Sequence, residues 1–147
     1  SRNVILVLDE PYLASVGSAI LSLRREDVVA TLDEIFDGIP GALCGIHCCA
    51  NTDWGLVLST NVRYLSFDAY DYADSLVLFA GEVKAYLDRG GKIAFGIVPT
   101  AVYETPGGVQ LAETLRPFIG RLSGIDDEDR ENGGKAREQT MRLHCDS

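Results

Sequence analysis

Residues 42–54 read Ala42-Leu43-Cys44-Gly45-Ile46-His47-Cys48-Cys49-Ala50-Asn51-Thr52-Asp53-Trp54. A short apolar run stops abruptly at His47 and runs out into polar residues. Along a strand, side chains alternate between the two faces, so positions i and i+2 point the same way. His47 and Cys49 therefore project together where the strand gives way to a loop. One imidazole and one thiolate on a rigid strand end make half of a tetrahedral zinc site. The same stretch has a plainer reading, in which Cys44, Cys48 and Cys49 are small apolar core residues, since free cysteine is commonly buried. Both readings need a strand that ends at His47.

Working outward, the same pattern recurs four times. Val4-Ile5-Leu6-Val7-Leu8 is a continuous apolar run closed by Asp9-Glu10-Pro11, as expected of a buried strand meeting a loop. Ser22 can cap a helix that carries Val28, Val29, Leu32, Ile35 and Phe36 on one side, and Gly38 and Pro40 end it. The strand over 42–47 is followed by a short helix over 54–58. The third strand, 64–67, ends at Asp68, and a longer helix over 75–87 closes at Arg89-Gly90-Gly91. The fourth strand, 92–98, is closed by Pro99-Thr100, and a helix over 109–122 completes the series.

Strands apolar throughout, alternating with amphipathic helices, make right-handed βαβ units and a parallel sheet. The expected fold is α/β: a parallel (βα)4 unit over residues 1–122, equivalent to a partial or half TIM barrel. Residues 123–147 form a polar, acidic and atypical C-terminal segment. Asp9, Glu10, His47, Cys49, Asp68 and Thr100 all fall at the carboxyl ends of successive strands, the side where parallel α/β folds place their chemistry.

The chain has 147 residues, room for one domain with a real core. Thirteen basic residues against 22 acidic ones give a net charge of −9, and no basic stripe offsets it, which argues against nucleic acid as a partner. No apolar run reaches membrane-span length, and no basic-then-apolar leader opens the sequence, so a cytoplasmic protein is expected. Three of the four cysteines crowd one strand and its exit, a layout of reduced thiols or metal ligands rather than of a disulfide framework. Arg89-Gly90-Gly91 and Gly107-Gly108 lack the strand–loop–helix placement of a phosphate loop.

Leu8-Asp9-Glu10-Pro11, Ile46-His47-Cys48-Cys49, Leu65-Ser66-Phe67-Asp68 and Gly96-Ile97-Val98-Pro99 follow one another at four strand ends. In this the chain resembles the C-terminal half of the barrel in the cobalamin-independent methionine synthase and uroporphyrinogen decarboxylase-like superfamily, over about residues 3 to 122. The resemblance implies zinc bound by His47 and Cys49, with Asp68 where methionine synthase has a glutamate. Asp9 would grip the amino group of a thiol substrate, with Glu10 and Trp54 beside it. For Asp9-Glu10-Pro11 the residues alone read as a cap or turn, and for Trp54 as the inward-packed start of a helix. Cys145 lies where the family's last thiolate ligand is expected, but its flanking residues depart from the family's Pro-x-Cys-Gly context.

The activity implied is a zinc-dependent thiol methyltransferase, or its catalytic half. Zinc would hold a thiol such as homocysteine as thiolate for attack on a methyl donor, either methyltetrahydrofolate or a methyl-corrinoid protein. Asp9 and Asp68 would be its catalytic carboxylates. A uroporphyrinogen-decarboxylase-like enzyme keeps the fold and changes the chemistry, but Arg24, Arg25 and Arg63 lie away from the strand ends where they would grip substrate carboxylates. The third reading is a non-catalytic fragment or paralogue acting as a binding module. Four βα units are half of a barrel, so a homodimer or completion by another barrel half is expected.

Overall fold

The computed structural model describes residues 4–16, 22–99, 106–123 and 141–144. Five strands form one sheet in the order β1-β2-β3-β4-β5, with every pair parallel. These are β1 Val4–Asp9, β2 Ala42–Cys48, β3 Tyr64–Asp68, β4 Lys92–Gly96 and β5 Met141–His144. Between them run a 3-10 turn, Pro11–Ser15, and the helices α1 Arg25–Asp37, α2 Trp54–Ser59, α3 Ala69–Val77, α4 Ala80–Asp88 and α5 Gly108–Ser123. The expected α/β class and parallel sheet are present. The sheet is open, with β1 and β5 at its two edges.

Strands in sequence order, all parallel, step in one direction, and right-handed crossovers then lay their helices over one face. The burial pattern follows. Cys44, Ile46 and Cys48 of β2, Leu65 and Phe67 of β3, and Ile93 and Phe95 of β4 share that face and are buried with Leu32, Phe36, Leu76, Val83 and Leu115 from the helices. Phe67 stands edge-on between Trp54 and Phe95, with ring centroids 5.2 and 5.4 Å apart. Such pairs add about 0.5–1.5 kcal/mol each beyond the area they bury. The opposite face carries Ile5, Val7 and Leu43, all exposed.

Several element boundaries differ from those expected. Helix α1 starts at Arg25, not at a Ser22 cap; Arg24 occupies the N-cap and pairs with Asp27 at 2.7 Å. The single helix expected over 75–87 is two, α3 and α4, broken at Leu78-Phe79. The break leaves Leu78 in solvent and lays the Phe79 ring over Gly55, where a Cβ would come within 3.2 Å of it. Helix α3 begins as early as Ala69 because Asp68 caps it, accepting the Asp71 N–H at 3.2 Å. Strand β4 ends at Gly96. Met141–His144, within the segment expected to be atypical, adds a fifth parallel strand beside β4.

Glycine at 91 is required by contact. A Cβ there would sit 2.4–2.6 Å from the Tyr86 ring, which is buried and donates its hydroxyl to Lys92 O at 3.1 Å. Gly81 in α4 has open space around it. Gly91→Ala is therefore expected to cost about 1–3 kcal/mol through overpacking. Gly81→Ala is expected to stabilise the chain by about 0.5–1 kcal/mol through the backbone entropy it removes. Urea midpoints of the two variants check both, and equal shifts in the same direction would contradict the packing described.

Candidate functional site at the carboxyl edge

Register brings the site together. Asp9 of β1 lies opposite His47 of β2, and His47 lies opposite Ser66 of β3. In a parallel sheet, residues in one such row share a face. The row lies on the face away from the core, since Cys48, one residue on, is 2% exposed within it. His47 Nδ1 and Ser66 Oγ are 3.0 Å apart, and Ser66 is one of two buried polar or charged side chains among the described residues. The Glu10 N–H donates to His47 O at 3.2 Å, which carries the β1–β2 ladder one residue beyond the strand.

The residues around this row divide by role. The Glu10 carboxylate accepts the Tyr12 N–H at 3.0 Å and so caps the 3-10 turn, the local role that Asp9-Glu10-Pro11 also predicts. Asp68 is half-buried and caps α3. Asp53 caps α2 through the Leu56 N–H at 3.0 Å and pairs with Arg25. The loop from Cys49 to Asp53 is held at three further points. Thr52 donates to Leu13 O at 2.8 Å, Ser75 donates to Asn51 Oδ1 at 2.5 Å, and the Trp54 indole donates to Ser75 Oγ at 2.8 Å. Trp54 itself is fully buried, packed inward at the start of its helix.

The cysteines separate as strand alternation predicts. Cys44 and Cys48 are buried, and Cys44 donates to Phe36 O at 3.6 Å. Burial pushes the Cys48 thiol up to about 12, with Cys49, Asp9 and Glu10 adding to the shift. A thiol held protonated is a poor nucleophile at neutral pH. Cys49 is exposed just beyond the strand. Among the described residues, no three His, Cys, Asp or Glu side chains stand close enough to enclose a metal ion. Cys145, the fourth residue of the expected zinc set, lies outside the described residues, as does Thr100. No described helix is long and apolar enough to cross a membrane.

No family model and no solved structure matches the chain. A curated relative, the protein nucleotidyltransferase YdiU of Burkholderia lata, is 31% identical over 121 residues, 82% of this chain and 20% of its own length. The chain thus spans about a fifth of that relative. The relative is named for nucleotidyl transfer to protein, which overturns the expectation of a zinc-dependent thiol methyltransferase and, with it, the decarboxylase alternative. It gives no support to a non-catalytic module either. Sequence reading passed over Ser66; the one signal for it was its place two residues before Asp68, which puts both on the same strand face.

Two measurements check this arrangement. In a Cys145→Ser background, Ellman's reagent is expected to modify Cys49 in the native chain and to reach Cys44 and Cys48 only on unfolding. The Cys48 thiol rises from 9.0 to about 12 and the Tyr86 phenol from 10.0 to about 12, both chiefly through burial. An acid whose pKa is higher folded than unfolded contributes stability that is complete below its unfolded pKa and lost as pH rises through the folded value. Stability is therefore expected to fall between about pH 9 and pH 12. Cys48→Ala should lower stability at neutral pH by leaving a cavity, yet flatten that alkaline decline. Urea midpoints at neutral pH and near pH 10.5 read both effects.

Proposed function

We propose that β1–β4 with their helices are a segment of a βα-barrel, and that their carboxyl edge is the ligand site of a group-transfer enzyme. Sequential strand order without a reversal is the topology of a barrel wall, not of a doubly wound sheet. The observation that carries the site is the Asp9–His47–Ser66 row, three polar side chains in register on adjacent strands with His47 fixed at 3.0 Å. His47 is the group that meets the ligand, and Asp9, Glu10 and Asp68 supply negative charge around it.

The reaction class to test first is the one in the relative's name, transfer of a nucleotidyl group. Helix N-termini ordinarily receive phosphate, but here those of α2 and α3 are already capped by Asp53 and Asp68. A nucleotide would therefore arrive with its own cation. Magnesium suits such an edge, because it takes one or two carboxylates and completes its shell with substrate phosphates and water. In the transfer an acceptor hydroxyl oxygen bonds to the α-phosphorus, the bond to pyrophosphate breaks, and the hydroxyl proton passes to a base or to solvent.

Titration with Mg–ATP, followed by backbone amide NMR, tests the reading. Shifts are expected at residues 9–10, 47–53 and 66–69, with affinity reduced about tenfold or more in His47→Ala, the loss of one hydrogen bond to a charged group. Shifts confined to the opposite end of the sheet, around Asn61, Arg63 and Arg89, would place the ligand elsewhere. The absence of any shift with purine and pyrimidine nucleotides would end the nucleotidyl assignment.

A further inference from the structure

Resting on the reading of His47 as the ligand-facing group, we infer that Ser66 is a positioning residue that holds neutral His47 in one tautomer, with the proton on Nε2. Ser66 Oγ and His47 Nδ1 are 3.0 Å apart. A serine hydroxyl carries one hydrogen to give and two lone pairs, whereas a neutral imidazole has one donor and one acceptor nitrogen. Two arrangements are therefore open. Either Nδ1–H donates to Oγ and leaves Nε2 as a base, or Oγ–H donates to Nδ1 and leaves Nε2–H as a donor.

The surroundings of Ser66 decide between them. Ser66 is 8% exposed, so its hydroxyl hydrogen is best satisfied by an acceptor within the protein. Its row neighbours are His47 on one side and Ala94 on the other, and Ala94 has no polar side-chain atom. Among the described residues, His47 is the one hydrogen-bond partner of the Ser66 side chain. Donation from Oγ to Nδ1 satisfies the hydroxyl hydrogen, whereas the reverse arrangement strands it. Nε2 then carries the imidazole proton.

The consequence is chemical. His47 offers its ligand an N–H, so it recognises an acceptor oxygen (carbonyl, carboxylate or phosphoryl) and can stabilise a developing oxyanion. It does not offer Nε2 as a lone pair for a cation. Asp9, on the other side of His47 in the same row, accepts no hydrogen bond from the imidazole among the described residues, so Nε2–H is left to the ligand.

The chain has two histidines, His47 and His144, so a long-range proton–nitrogen NMR spectrum is simple to assign with a His144→Gln variant. In buffer made alkaline until the imidazole signals no longer move with pH, His47 is expected to show a pyrrole-type Nε2 and a pyridine-type Nδ1. Ser66→Ala should move both nitrogens toward averaged values, and Ser66→Thr should restore the separation. A pyrrole-type Nδ1 in the wild-type chain overturns the inference, as does a Ser66→Ala variant that folds and leaves both shifts unmoved. Should Ser66→Ala not fold, the wild-type spectrum alone still decides. The tautomer is read without ligand, so failure here is separable from failure of the Mg–ATP titration, which would instead remove the group-transfer reading.

Discussion

The register among β1, β2 and β3 is the constraint on which the site depends. Asp9, His47 and Ser66 are distant in sequence and meet only because Val4 pairs with Ala42 and Gly45 with Tyr64. A slip of one residue in a strand with period two would send His47 into the core and Cys48 out. The core resists that slip strongly, since Ile46, Leu65, Phe67, Ile93 and Phe95 all have at most 1% of their surface exposed. Each contributes about 1.5–3 kcal/mol by burial. Gly45 adds a local restraint. A Cβ at that position would lie 3.0 Å from Tyr64 O and 3.3 Å from Val7 Cγ2, so β2 runs close to both neighbours and admits no side chain there.

The same core reaches the loop beyond β2. Trp54 ties the loop to the interior because its ring packs on Phe67 while its N–H is donated to Ser75, which in turn donates to Asn51. Cys49 is therefore exposed but sits on a fixed backbone, held from one end by β2 and from the other by the α2 cap. An exposed thiol on a fixed backbone and a buried thiol pushed to about 12 are adjacent residues. Cys48 closes the strand on its core face, and Cys49 opens the loop beyond it.

The sheet was legible because its strands are apolar on both faces, and continuous runs such as Val4–Leu8 have few other readings. The positions of Asp9, His47 and Asp68 followed from strand ends, for the same reason. Helix boundaries were less legible. Ser22 is a good capping residue by type, yet tertiary packing starts α1 at Arg25, and Phe79 breaks a pattern that is otherwise continuous because its ring fits over Gly55. Ser66 was passed over for a different cause. A lone serine in an apolar strand has no periodic signature, and its meaning comes only from the strand beside it. The reaction class was the least legible part, because His47 and Cys49 at a strand end are a spacing, and a spacing does not name the group that is transferred.

The capping aspartates limit what the edge can receive. Asp53 and Asp68 are the N-caps of α2 and α3, where backbone N–H groups and the positive end of each helix dipole would otherwise attract an anion. Arg25, the cation beside them, is engaged by Asp53. What remains directed outward is carboxylate charge and one imidazole. A bare anion meets the negative charge of Asp9, Asp68 and Glu10, and the N-termini of α2 and α3, already capped by Asp53 and Asp68, do little to offset it. A ligand that brings its own positive charge, as a bound cation or a basic group, meets attraction from the same residues. The imidazole can then select it by a single acceptor atom. On the proposed reading, charge governs admission to the edge, and the hydrogen bond between β3 and β2 governs which atom of the ligand is recognised.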